Sequence, residues 1–253
     1  MIRTNNSPSI LSLNIFIFTG LSLLSFSFFF FVAGSTHTAF QWETIWHYRR
    51  VFWQGWVETI LIATAALFFS ILLGSLIVMA RRSVFWCLRI LSLTFIELIR
   101  GTPLLTQILF FFYVIAHGIG LENRLIAGIA ILSLFSSAYL SEIIRGGIEM
   151  IPLAQWESAK ILGLTRFQTY RYVVLPQVLR HLSPALTGQF ASLIKDSSLL
   201  SIIGIKEFTM AAQQVNATTY CTLESYFPLA CGYLLLTLPL SIGSRRLEKK
   251  WAL

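Results

Sequence analysis

The chain has 253 residues, 56% of them hydrophobic and only 12% charged, with a formal net charge of +8. Ordinary globular domains carry roughly 25% charged residues, so a water-soluble fold is excluded. The basic residues sort by loop instead of gathering on one face, which argues against nucleic acid as a partner and leaves membrane lipid as the surrounding medium.

The expected fold class is all-α integral membrane. The apolar runs approach the roughly 20 residues that carry a helix across a bilayer, and they lack the short alternating segments of barrel strands. Residues 10–33 form the first run, preceded by Arg3 and followed by Gly34 and Ser35. That run exceeds the roughly 7 to 15 apolar residues of a secretory signal core, so a retained span is favoured over a cleaved leader. Residues 34–54 carry Trp42, Trp46, Tyr48 and Trp53, rings suited to the headgroup region. Residues 1–54 are thus read as an N-terminal transmembrane helix with an outer loop, and 55–253 as the main transmembrane domain.

In that domain a second span runs from about Trp56 to Ala80, against Arg81 and Arg82. A third runs from Phe85 to Ala116 and is expected to kink at Gly101 and Pro103, because proline removes a backbone donor. The fourth covers about Leu125 to Ile148, the fifth Leu186 to Ile205 and the sixth Phe227 to Gly243. Six crossings put both termini on one side. Thirteen Lys and Arg residues fall on that side: Arg3; Arg81, Arg82 and Arg89; Arg145, Lys160, Arg166, Arg171 and Arg180; Arg245, Arg246, Lys249 and Lys250. The other side has four, Arg49, Arg50, Arg124 and Lys206, while Arg100 and Lys195 lie within spans. By the positive-inside rule both termini are cytoplasmic, and so is the segment of about 149–182.

This segment is a polar, basic insert between apolar stretches. Ile151 to Leu162 is compatible with a helix that Gly163 breaks, and Thr165 with Gln168 forms a capping-box pattern opening a second helix, which is expected to run to Leu175 before Pro176. Phe167, Tyr170 and Val174 are expected to share one face. From pattern alone the insert reads either as a solvated loop on the membrane surface or as a docking element, with small Ser158 and Ala159 and the anchor Glu157.

Glu157, Ser158, Ala159, then Gly163, then Val173, Val174, Leu175 and Pro176 resemble the EAA signature of the permease subunits of bacterial binding-protein-dependent ABC importers. Ser158 stands where that signature usually has alanine. FIELIRGTPLLTQILFFFY (95–113), AYLSEIIRGGIEMIP (138–152), RFQTYRYVVLPQVLR (166–180) and LIKDSSLLSIIG (193–204) are similar to segments of polar amino-acid permeases of the histidine, glutamine and arginine type. The likeness covers about residues 55–250; Leu153 and Ala154 stand where the family often has a basic residue and glycine. It implies a five-helix core plus one N-terminal helix, and a second permease subunit, identical or different. It also implies a cytoplasmic ATPase dimer that binds ATP and magnesium and grips Glu157, Ser158, Ala159, Gly163 and Leu164. An extracytoplasmic amino-acid-binding protein would deliver the substrate, and the location would be the bacterial inner membrane.

The residues independently exclude an internal motor, since no GxxxxGK[ST] phosphate loop is present. Three acid/base couplets lie in or near spans: Glu97 with Arg100, Glu142 with Arg145, and Lys195 with Asp196. Charges at that depth face protein or a water-filled cavity. The first two couplets are spaced for mutual neutralisation on one helix face. Lys195 and Asp196, about 100° apart on a helix, are not. Lys195, Asp196 and Ser197, with Glu97, Arg100 and Gln107, are therefore candidates to line a path for a zwitterionic amino acid. Cys87, Cys221 and Cys231 have no metal-type spacing, and the four histidines form no cluster. No catalytic constellation or metal set stands out, so the chain is expected not to be an enzyme. An ion-coupled secondary transporter is the alternative, but the half-repeats that would mark one are missing.

Overall fold

The computed structural model describes residues 41–251 together with Leu24 and Ser27, and the expected first span at 10–33 lies outside the described residues but for those two positions. In chain order the helices are α1 (Trp42–His47), α2 (Arg49–Arg81), α3 (Trp86–Gly101) and α4 (Leu104–Phe110), the last continued by a π-helical segment, Phe111–Ala116. They are followed by α5 (Arg124–Glu149), α6 (Leu153–Ile161) and α7 (Arg166–Gln168). A second π-helical segment, Thr169–Val174, joins α7 to α8 (Leu175–Asp196); a 3₁₀ segment, Ser197–Ile203, then leads to α9 (Phe208–Thr219) and α10 (Thr222–Trp251).

Helix α2 has 33 residues, about 50 Å at 1.5 Å per residue, and runs unbroken through residues 54 and 55. Gly55, Thr59, Ala63, Ala66, Ser70 and Gly74 form a buried small-residue stripe along it. Helix α5 lies against α2 with its own stripe of Ser133, Ser136, Ser137 and Ser141. Small residues let helix backbones approach where lipid tails offer no hydrophobic drive for association. The hydroxyls are satisfied by backbone: Ser70 Oγ donates to Ala66 O at 2.6 Å and reaches Ser133 O at 3.1 Å. Lower on the same stripe, Gly55 admits the entry to α9. A Cβ there would stand 2.8 Å from Ala211 Cβ and 3.0 Å from the Glu207 carbonyl oxygen.

Among the described residues α2, α5 and α10 are each long and apolar enough to cross a membrane, and α3 with α4 makes a fourth if the bent pair counts as one span. The single kink expected between 85 and 116 is in fact a bend of 110° between α3 and α4. Thr102, placed before Pro103, is forced to extended backbone (φ −123°, ψ 146°). The turn sends Leu104 and Ile108 into the core shared with Ile62, Leu132, Leu193 and Ile194, and burial of those side chains holds the bend. Gln107 fastens it: its Nε2 donates to Ile99 O at 2.7 Å, Thr102 Oγ1 at 2.8 Å and Thr102 O at 3.1 Å, taking up acceptors that the end of α3 leaves open.

The insert also departs from expectation after its first turn. Helical structure continues from Arg166 through Pro176 to Asp196 instead of stopping before the proline. A proline inside an α-helix lacks one donor and clashes with the carbonyl four residues earlier. Here the π-helical turn Thr169–Val174 precedes it, and its wider i→i+5 register absorbs both. As a result Phe167, Tyr170 and Val174 do not share a face: Phe167 is 78% exposed and Val174 2%. The expected fifth span, 186–205, corresponds to the second half of α8 plus the 3₁₀ segment. Helix α8 does not stand among the apolar spanning helices, because Arg180, His181, Gln189, Lys195 and Asp196 interrupt it. It is enclosed instead by α2, α5 and α10.

Candidate functional site

The insert is a rigid elbow. Helix α6 ends in a Schellman closure, in which Gly163 N–H donates to Lys160 O and Leu164 N–H to Ala159 O, both at 3.0 Å. Gly163 takes φ +71°, a left-handed conformation that costs other L-residues roughly 1–2 kcal/mol. Two residues on, Thr165 Oγ1 accepts from Gln168 N–H at 3.3 Å and Gln168 Oε1 from Thr165 N–H at 2.9 Å, which completes the anticipated capping box. One helix stop and one helix start thus meet across a single glycine.

The elbow is fastened to the protein from one side. Trp156 meets the Tyr170 ring edge-on at 5.3 Å between centroids, and Ile151, Val174, Val178 and Leu182 form a small buried cluster against Ile144 and Ile148 of α5. Ala159 is 2% exposed, so it packs against the protein's own chain instead of standing open to a partner. Glu157 and Ser158 are exposed and Leu164 half-buried, while Ile161 and Leu162 are 85% and 76% exposed. Exposed apolar side chains of this kind are candidates for contact with another surface. Sequence reading passed over Ile161 and Leu162 because on a short helix they are indistinguishable from core.

Arg82 connects this elbow to the bundle, its Nη1 donating to Tyr170 Oη at 3.3 Å. Its neighbour Arg81 pairs with Glu142 on α5. Glu142 is a hub: Arg145 donates through Nη2 to Oε2 at 2.8 Å and through Nε to Oε1 at 3.3 Å, and Arg100 Nη1 stands 3.9 Å from Oε2. Arg145 also pairs with Glu149. The couplet Glu142–Arg145 forms as its spacing predicts. The couplet Glu97–Arg100 does not: Glu97 is exposed and makes no ion pair or side-chain hydrogen bond among the described residues, and Arg100 turns to Glu142 and to the Tyr139 ring, 5.7 Å away. Same-face spacing permits a pair, but a neighbouring helix offered Arg100 a carboxylate already gathering positive charge.

The remaining candidates for a substrate path lie on adjoining elements, α4 packing against the 3₁₀ segment that follows α8. Lys195 is exposed and Asp196 half-buried, and neither makes an ion pair or side-chain hydrogen bond with the other, as their 100° separation implies. Ser197 is buried with its hydroxyl on Ile194 O at 2.8 Å, and Gln107 is engaged at the bend. Two of the six thus hold backbone in place, and four, Glu97, Arg100, Lys195 and Asp196, carry charge at partly open positions.

Another acidic residue went unnoticed in the sequence. Glu207 lies outside the spanning helices, is fully buried, and caps α9 by accepting from Thr209 N–H at 2.8 Å and Met210 N–H at 2.7 Å. Tyr233 Oη donates to it at 3.0 Å. Burial pushes its carboxyl up to about 6, against the opposing pull of those backbone donors.

Residues 66–253 match the family described as binding-protein-dependent transport system inner membrane component. The glutamine transport system permease protein GlnP of Escherichia coli K12 is 35% identical over 214 residues, 83% of this chain and 97% of that protein. The probable glutamine ABC transporter permease protein GlnM of Bacillus subtilis is 35% identical over 201 residues, 79% and 93% of the two chains. Among solved structures, an amino acid ABC transporter crystallised with histidines superposes with a TM-score of 0.77 at 31% identity, over 84% of this chain and 100% of that one. An inward-facing methionine ABC transporter, MetNI, shares the fold at a TM-score of 0.68 and 18% identity, over 83% and 99%.

Proposed function

The chain belongs to the family of binding-protein-dependent transport system inner membrane components, and from that premise we propose that it is the permease subunit of an ABC importer for a polar amino acid. The observation that carries the reading is the elbow at Gly163. It is stiff, fastened on one side through Trp156 and Tyr170, and bare on the other at Glu157, Ser158, Ile161 and Leu162. A separate ATPase dimer grips that bare side, and the Tyr170–Arg82 and Arg81–Glu142 contacts pass its movement to α2, α5 and α3. Alternating access follows as those helices re-aim the substrate path.

In this reading the chain crosses a bacterial inner membrane six times with both termini inside, pairs with a second permease, and receives its substrate from a solute-binding protein. Relatives named as a glutamine transport permease and a probable one support a polar amino acid as cargo. The charges of Glu97, Arg100, Lys195 and Asp196, with Gln107 and Ser197 beside them, line the path. A balanced set of charges replaces the hydration of a zwitterion at lower cost than an apolar wall.

Two experiments test it. Glu157→Lys reverses charge on the bare surface, and Gly163→Pro demands a φ near −65° where the chain needs +71°; each should abolish co-purification of the ATPase, and recovery of an intact, transporting complex from both would refute the coupling role. For the path, uptake is measured with the binding protein present. Asp196→Asn and Lys195→Ala should alter rate or selectivity, and unchanged uptake by both would remove these residues from the path.

A further inference from the structure

We propose that a pocket between the ends of α2, α3 and α5 binds the phosphate of an anionic membrane lipid. Four arginines, Arg81, Arg82, Arg89 and Arg145, line a cavity of about 270 Å³ together with Glu149, Val78 and Leu93. Arg81 and Arg145 are engaged by Glu142, and Arg145 also by Glu149. Among the described residues Arg82 holds only the Tyr170 hydroxyl, and the Arg89 side chain makes no hydrogen bond or ion pair. Two arginines therefore line one small cavity without an ion-paired carboxylate of their own. Guanidinium forks match the oxygens of a phosphate in geometry as well as charge.

Position identifies the source of that phosphate. Helices α2 and α5 are both long and apolar enough to cross the membrane, and the pocket stands where they end, at the boundary between hydrocarbon and water. The turn beside it presents Val84, Phe85 and Trp86, all three strongly exposed. An apolar and aromatic turn of this kind seats itself among lipid headgroups, which holds Arg82 and Arg89 at phosphate depth. Basic pockets between membrane helices bind acidic headgroups by this chemistry. The inference depends on membrane placement alone and not on the cargo or the direction of transport. Because Arg82 also touches Tyr170, the lipid would brace the elbow.

The test uses the full chain in nanodiscs of phosphatidylcholine with or without phosphatidylglycerol, followed by native mass spectrometry for retained lipid. The wild type should retain phosphatidylglycerol selectively. Arg89→Gln should weaken retention roughly fivefold and the double variant with Arg82→Gln about twenty-five-fold, at the usual contribution of one basic residue near an acidic bilayer. Arg246→Gln, outside the pocket, should change nothing. Equal retention by wild type and double variant would overturn the proposal; if the double variant does not insert, Arg89→Gln decides alone, since its side chain makes no hydrogen bond or ion pair among the described residues. Thermal melting in lipid-free detergent separates the two sources of phosphate. No shift with inorganic phosphate supports the lipid, and a shift as large as that given by phosphatidylglycerol would assign the pocket to a free anion and overturn it.

Discussion

Replacing Glu142 by glutamine should be among the costlier single changes in the bundle. Its carboxylate accepts two bonds from Arg145, one from Arg81, and the longer-range attraction of Arg100 at 3.9 Å. Hydrogen bonds to charged groups contribute about 1.5–3 kcal/mol each. Glutamine keeps the shape and one acceptor but turns an amide N–H₂ toward a guanidinium and leaves the arginines to repel one another. The side chain is 22% exposed, so water relieves part of this, and the net loss should be about 3 kcal/mol. For a chain of this size that is a fall of roughly 6–12 °C in melting temperature, measured by fluorescence-detected melting of the purified protein. Arg100→Gln is the internal comparison. Its contact is long and its side chain 44% exposed, so it should cost under about 1 kcal/mol. If Glu142→Gln melted with the wild type, or Arg100→Gln proved as damaging, the hub would not be a unit.

Gly55→Ala should lower the melting temperature by the equivalent of about 1–3 kcal/mol, because its Cβ would stand 2.8 Å from Ala211 Cβ and 3.0 Å from backbone; Gly101→Ala, with nothing within 4 Å, is the control, and equal effects would refute the close approach of α2 and α9. Glu207 gives a pH test. Its folded-state value, about 6, lies above its ordinary 4.5, so the folded protein binds the proton more tightly. The contribution is full below pH 4.5, declines as pH rises, and is lost above about 6. It is worth about 2 kcal/mol across that window. Melting measured from pH 4 to 7 should show the decline in wild type and a flatter profile in Glu207→Gln; parallel profiles would show that Glu207 is not the group responsible.

Local chemistry was legible in the sequence wherever it is fixed by a few adjacent residues. Helix stop and start at Gly163 and Thr165, the break at Pro103 and the Glu142–Arg145 pair depend on spacing within one turn, and each formed. The apolar runs likewise announced a helical membrane protein, since bilayer thickness sets how long such a run must be. Tertiary structure alone decided which partner each long-range group took. Arg100 left Glu97 for a carboxylate on another helix, Ala159 turned inward, and a π-helical turn carried the chain through Pro176. The expected kink became a sharp bend because Leu104 and Ile108 gained burial by it. These outcomes compare energies between elements far apart in the chain, and periodicity within one element holds no record of what the neighbouring helix offers.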